Sequence, residues 1–193
     1  MKIYYLAWGS LLWDNALLEL DAPWRQTRLQ LPLNFSRISD NGKGRVTLVI
    51  DNENGVLNPV YIAPTKINNL NEAINALKTR EKTVPNLIGY VNLKNNSHRS
   101  NLLNENQINA IKKLAQKENA DAIVWTDIPP NFPKVFGKNF STEIAYKYIL
   151  SQKNNTKLYN KILEYIFLST IYGKIKTPLS KLVMENIISK INS

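Results

Sequence analysis

The first fourteen residues constrain the chain most. Ile3 to Trp8 is an unbroken apolar run, Gly9-Ser10 interrupts it, and Leu11-Leu12-Trp13 resumes it before Asp14. A run this short, bounded by turn residues and rich in aromatic and β-branched side chains, reads as a buried strand rather than a helix. Gly9 lacks a Cβ, so the backbone can turn sharply there and approach another group closely. Such a turn can also aim successive backbone N–H groups at one anion. An ordinary strand-to-loop junction in a core would carry the same residues.

Length and composition narrow the classes. A chain of 193 residues is one domain in the simplest reading, spanning 1–193, with a helical extension from about 141 to 193, and it is long enough to bury a core unaided. Cysteine is absent, so the sequence offers no disulfide framework, no thiol nucleophile and no cysteine metal site. That usage suits a reducing, cytoplasmic setting. The N-terminus lacks the pattern of a signal peptide, and no run reaches the ~18 apolar residues of a membrane span. The net charge of +10 invites a nucleic-acid reading. The lysines, however, fall along expected helices without a dense basic run or an aromatic-interleaved stripe, so neither nucleic acid nor membrane is expected as a partner.

Taken in order, the chain alternates short strands with helices. Thr27–Leu33 alternates polar and apolar and reads as a strand with Pro32 near its edge or end. Asp40–Gly44 is a turn-rich loop, and Arg45–Asp51 is the clearest strand. Asn52–Gly55 then joins it to Pro59–Ala63 as a hairpin. Asn69 or Asn71 caps a helix whose stripe is Leu70, Ala73, Ile74 and Leu77. Leu87–Leu93 is a strand, and Lys94–Asn101 is a polar loop holding His98, the single histidine, without metal partners. Asn104 and Gln107 form a capping box for a helix burying Ile108, Ile111, Leu114 and Ala115. Asp121–Thr126 should be a central strand. Ser141 caps a helix to Leu150, a second covers about Lys157 to Tyr172 and ends at Gly173 as its C′ residue, and Thr177-Pro178 opens a third carrying Leu182, Val183, Ile187, Ile188 and Ile191.

One residue stands out of this pattern. The stripe Leu70-Ala73-Ile74-Leu77, continued by four, lands on Glu81. Either the helix ends before Glu81, or this carboxylate points into a partly enclosed space suited to general acid/base work. A helix-end glutamate paired with Arg80 or a nearby lysine is the competing reading.

Two segments resemble the gamma-glutamylcyclotransferase-like family. Tyr5-Leu-Ala-Trp-Gly-Ser-Leu11 is similar to its opening Tyr-Gly-Ser-Leu/Asn signature, with Trp8 in place of the usual tyrosine. Leu77-Lys-Thr-Arg-Glu81 resembles its Leu-x-x-Arg-Glu segment, which carries the catalytic glutamate. Weaker likeness runs through Asn34–Leu48. Asp121–Asp127, followed after Ile128 by Pro-Pro-Asn-Phe132, resembles a bacterial subgroup. The family's Gly-Tyr after the glutamate is replaced by Lys82-Thr-Val-Pro85, and Gly89-Tyr90 comes eight residues after Glu81.

The resemblance implies an α+β fold: a small mixed β-barrel with flanking helices and a helical C-terminal region. It implies an enzyme that closes a gamma-glutamyl compound into 5-oxoproline and releases an amine or amino acid. Glu81 would be its acid/base, the backbone of Trp8, Gly9, Ser10 and Leu11 would hold the substrate, and Ser36, Arg80 and Tyr90 would line the pocket. Neither a cofactor nor a metal is called for, and the C-terminal helices offer a possible homodimer surface. Trp8 and the altered segment after Glu81 favour an alternative, a module that binds an amino-acid-like ligand without chemistry. A third alternative is a basic protein that binds nucleic acid.

Overall fold

The computed structural model describes residues 1–40 and 44–191, with only the backbone for Lys190 and Ile191. The strands are β1 (Ile3–Ala7), β2 (Arg25–Ser39), β3 (Arg45–Ile50), β4 (Val56–Pro64), β5 (Ile88–Asn92), β6 (Ser97–Arg99) and β7 (Ala122–Thr126). The helices are α1 (Leu70–Glu81), α2 (Glu105–Lys117), α3 (Phe132–Phe136), α4 (Thr142–Ser151), α5 (Thr156–Gly173) and α6 (Pro178–Ile191).

Among the described residues the strands form one mixed sheet in the order β3-β2-β4-β1-β7-β5-β6. The order ends at β3 on one side and β6 on the other, so the expected barrel is corrected to an open sheet with helices. The expected hairpin of Arg45–Asp51 with Pro59–Ala63 is corrected too, because β2 lies between β3 and β4. Pro32 is inside β2, not at its end, and its carbonyl accepts the Asp51 N–H at 2.8 Å. Gly55 sits so close to Pro32 and Asp51 that a Cβ would come within 2.6 Å of backbone atoms. The turn therefore crosses β2 at the one residue that has no N–H to offer. Of the loop 40–44, residues 41–43 lie outside the described residues.

The chain divides into two compact units, and β2 and β4 pass from one into the other. The first comprises Met1–Leu31 and Pro59–Ile128. Its centre is β1, parallel to β7 with Ile3 opposite Ala122, and antiparallel to β4 with Ala7 opposite Tyr61. All five residues of β1 are buried, as are Ala122–Trp125 of β7, the continuous apolar pattern of strands covered on both faces. Ile3, Tyr5, Ala7, Ile88, Ala122 and Val124 meet Ala73, Ile74 and Leu77 of α1 in one core cluster. Asn69 caps α1, accepting from the Asn71 and Glu72 amides, and the expected capping box on α2 forms between Asn104 and Gln107. Lys94–Asn101 is not all loop: Ser97–Arg99 pairs with β5, and His98 lies 3.5 Å from Glu105.

The second unit comprises Pro32–Asn58 and Pro129–Ser193. Here β2 pairs with β3 through a register shift between Asn34 and Arg37. Asn131 accepts the Ile38 N–H at 2.8 Å and donates to its carbonyl at 2.9 Å, so a side-chain amide imitates a neighbouring strand. Tyr165 of α5 takes the Leu48 N–H at 3.3 Å and meets Phe35 edge-on at 6.1 Å. Ser141 caps α4, and Thr177 and Ser180 cap α6 reciprocally. One helix detail differs from expectation. Gly173 is still helical and Lys174 takes the left-handed cap at φ 51°. Among the described apolar residues of α6, Leu179 and Val183 are buried, whereas Leu182 and Ile188 are exposed. The side chain of Ile191 lies outside the described residues.

Candidate functional site

The first unit brings the Gly-Ser turn and the end of α1 together. After β1, Trp8 is extended and buried, and Gly9 enters the left-handed region at φ 58°. A residue with a Cβ resists that conformation, so Gly9 is where the strand direction is broken. Gly9–Leu12 forms a short 3-10 turn, and the Ser10 carbonyl accepts both the Trp13 and Asp14 amides, at 3.3 and 2.8 Å. The leading N–H groups of such a turn have no acceptor within it. Leu11, 4 % exposed, plugs the turn into the same core cluster as Leu77.

Tyr5 fixes helix against strand. Its hydroxyl donates to the Ala73 carbonyl at 3.0 Å, and burial, with Glu19 second, pushes its phenol well above the usual range, which keeps the donor protonated. The helix does not end before Glu81: Glu81 is its final residue, and Lys82 follows in the left-handed conformation at φ 52°. The Glu81 side chain is 20 % exposed, half-enclosed rather than solvated.

Arg80 joins the parts. Its Nη2 donates to Ser10 Oγ at 3.2 Å and to the Asp14 carbonyl at 2.7 Å, and Nε donates to that carbonyl at 3.0 Å. Nη2 also lies 3.3 Å from Asp14 Oδ2, and Nη1 lies 3.3 Å from Glu81 Oε1. Glu81 is thus a helix-end carboxylate paired with Arg80, the competing reading of the sequence. Asp14 is the participant that the sequence did not single out; as the polar end of an apolar stretch it gave no signal.

The remaining expected residues divide. Tyr90 packs against the cluster that holds Leu11 and Leu77, and its ring lies 5.2 Å from the Arg99 guanidinium. Gly89 has a packing reason: a Cβ there would sit 2.3 Å from the Trp125 indole opposite it. Ser36 belongs to the second unit, where its buried hydroxyl has no partner among the described residues. Asp127 is fully buried and accepts from the Ser100 hydroxyl, the Asn101 N–H and the Trp125 indole. Asp127 and Asn131, the polar residues of the Asp121–Phe132 segment with these bonds, thus hold backbone and side chains in place. Beyond Asp14, residues 15–17 and 19–23 line an open hollow of about 630 Å³.

Among the described residues, no group of three or more His, Cys, Asp or Glu could hold a metal ion, and no helix is long and apolar enough to cross a membrane. No family model, curated protein or solved structure matches the chain.

Proposed function

We propose that the chain is a gamma-glutamylcyclotransferase-like enzyme acting on a small gamma-glutamyl compound in the cytoplasm. The observation that supports this reading is the Arg80 bridge, whose guanidinium contacts both Ser10 and the Glu81 carboxylate although these lie some seventy residues apart.

The reaction suits so sparse a site. The substrate's own α-amine attacks its γ-carbonyl, a C–N bond closes the five-membered lactam, and the C–N bond to the leaving amine breaks. Because the nucleophile is tethered, the protein's main task is to hold the folded conformer. Glu81 takes the proton that the amine loses and returns it to the leaving nitrogen. Backbone N–H groups of Trp8–Leu11 hold the substrate carboxylate or the developing oxyanion. Ser10 accepts from Arg80, which leaves its own O–H to donate to a substrate oxygen. No step needs a metal or an organic cofactor.

The test is 5-oxoproline release from a panel of gamma-glutamyl peptides and amines, wild type beside Glu81→Gln. Gln keeps the shape and removes the proton acceptor. Release by wild type with a loss of about a hundredfold or more in the variant is expected; equal release from both proteins removes Glu81 as the base. One observation favours a second reading, a binding module without chemistry: Glu81 is already engaged by Arg80. Saturable binding of a gamma-glutamyl compound with no release would select it.

A further inference from the structure

We infer that Arg80 is a positioning residue that staples the Ser10 turn to the catalytic carboxylate and sets the hydroxyl of Ser10 as a donor, rather than a receptor for the substrate's carboxylate; this rests on the cyclisation reading above. The Arg80 side chain as a whole is 14 % exposed. Its donors are directed into the protein: Nε and Nη2 to the Asp14 carbonyl, Nη2 to Ser10 Oγ, and Nη1 to Glu81. A substrate carboxylate would have to displace these bonds to take a forked grip.

The geometry uses what distinguishes arginine from lysine. A planar fork can hold two sites at fixed separation, whereas an ammonium is a point charge on a flexible stem. One edge of the fork carries the loop and its other nitrogen carries Glu81. Ser10 has one hydroxyl proton, and with Nη2 as its donor the remaining role of that hydroxyl is to give its proton to a third group. Arg80 therefore acts on the reaction through two other residues. Its removal should loosen both together.

The experiment uses the full chain with Arg80→Gln, Arg80→Lys, Ser10→Ala and the Arg80→Gln/Ser10→Ala pair. The first readout is 5-oxoproline release from a compound that wild type turns over. Arg80→Gln is expected to lower kcat by about a hundredfold, the scale of an ångström-sized misplacement, with KM moving several-fold at most. Arg80→Lys should recover less than about tenfold of that loss, because charge without the fork cannot span both sites. The double variant should be no worse than Arg80→Gln alone within about threefold, since a residue acting through Ser10 has nothing left to hold. The second readout is amide exchange, which needs no activity: residues 8–16 should exchange at least about tenfold faster in Arg80→Gln while α2 is unchanged.

Wild-type kcat in Arg80→Lys, multiplicative losses in the pair, or a loss confined to KM would each overturn the staple. If wild type releases nothing from any compound, the cyclisation reading fails and exchange alone decides: faster exchange at 8–16 keeps the staple and unchanged exchange overturns it. Should Arg80→Gln fail to fold, Arg80→Lys carries the exchange measurement, with the same two outcomes.

Discussion

The two units use their polar groups differently. In the first, Ser10, Asp14, Arg80 and Glu81 converge from separate segments and leave the Glu81 carboxylate half-open. In the second, several polar side chains satisfy backbone: Asn131 serves Ile38, Tyr165 serves Leu48, and Thr177 and Ser180 cap reciprocally. The charge follows the opposite trend. Residues 129–193 hold ten Lys against three Asp and Glu, so +7 of the net +10 belongs to the helical C-terminal third. Most of the basic character of the chain thus lies in a different stretch of sequence from Ser10, Asp14, Arg80 and Glu81. A net charge counted over the whole sequence would misdirect a search for the site.

The largest effect that sharpens this comparison is on chemistry. Glu81→Gln should lower 5-oxoproline release by about a hundredfold or more while the melting temperature stays within a few degrees. In the second unit, Tyr165→Phe should leave the turnover of folded protein within about twofold, because the hydroxyl that accepts the Leu48 amide belongs to a different unit from Ser10, Arg80 and Glu81. Its cost should appear as about 1 kcal/mol of stability. Turnover falling equally in both variants, measured beside thermal melts, would abolish the distinction between the units.

How far the sequence revealed these features depended on range. Caps at Asn69, Asn104 and Ser141 were readable because their partners lie within three residues. The central placement of Asp121–Thr126 was readable because a strand buried on both faces must be apolar throughout. The fifteen-residue β2 was not, because Pro32 breaks the alternation and its neighbours come from distant segments. The turn at Gly9 and the carboxylate at Glu81 were singled out, the second by an apolar stripe that runs into a charge. The Arg80–Asp14 contact was illegible, since nothing local marks a carbonyl sixty-six residues away as an acceptor. On α6 the sequence offered Leu182 and Ile188 without saying which face they take, and both are exposed.

Two substitutions of intermediate effect probe packing on either side of the comparison. Gly89→Ala would push a methyl carbon into the Trp125 indole, 2.3 Å away across the strand pair. Overpacking of that kind should cost about 1–3 kcal/mol in urea unfolding, and an unchanged midpoint would refute the close approach. Asn131→Ala would strand both the N–H and the C=O of Ile38 and should cost about 1–3 kcal/mol. Activity per folded molecule should hold in Asn131→Ala. If it fell a hundredfold with stability intact, the Pro-Pro-Asn-Phe segment would have a chemical role and the second unit could not be treated as packing alone.

The smallest effect concerns Asp121, which precedes β7 in the first unit. Its Oδ2 accepts the Lys2 N–H at 2.7 Å and lies 3.4 Å from Lys94 Nζ. The backbone hydrogen bond, and then Lys94, hold its carboxyl below the usual range. A depressed folded pKa stabilises the native state above the unfolded value of about 3.9, and that contribution disappears as pH falls through the folded value. Asp121→Asn keeps an acceptor for Lys2 and removes the charge. The site is largely open to solvent and screened, so the variant should lose well under ~1 kcal/mol at pH 7. The gap between the two melting temperatures should close as pH is lowered from about 5 towards 2, and raising salt at pH 7 should narrow it as well. A gap that widened on acidification would mean that the interaction is not held by the ionised carboxylate. The tie from Lys2, the residue just before β1, to Asp121 would then rest on the neutral hydrogen bond alone.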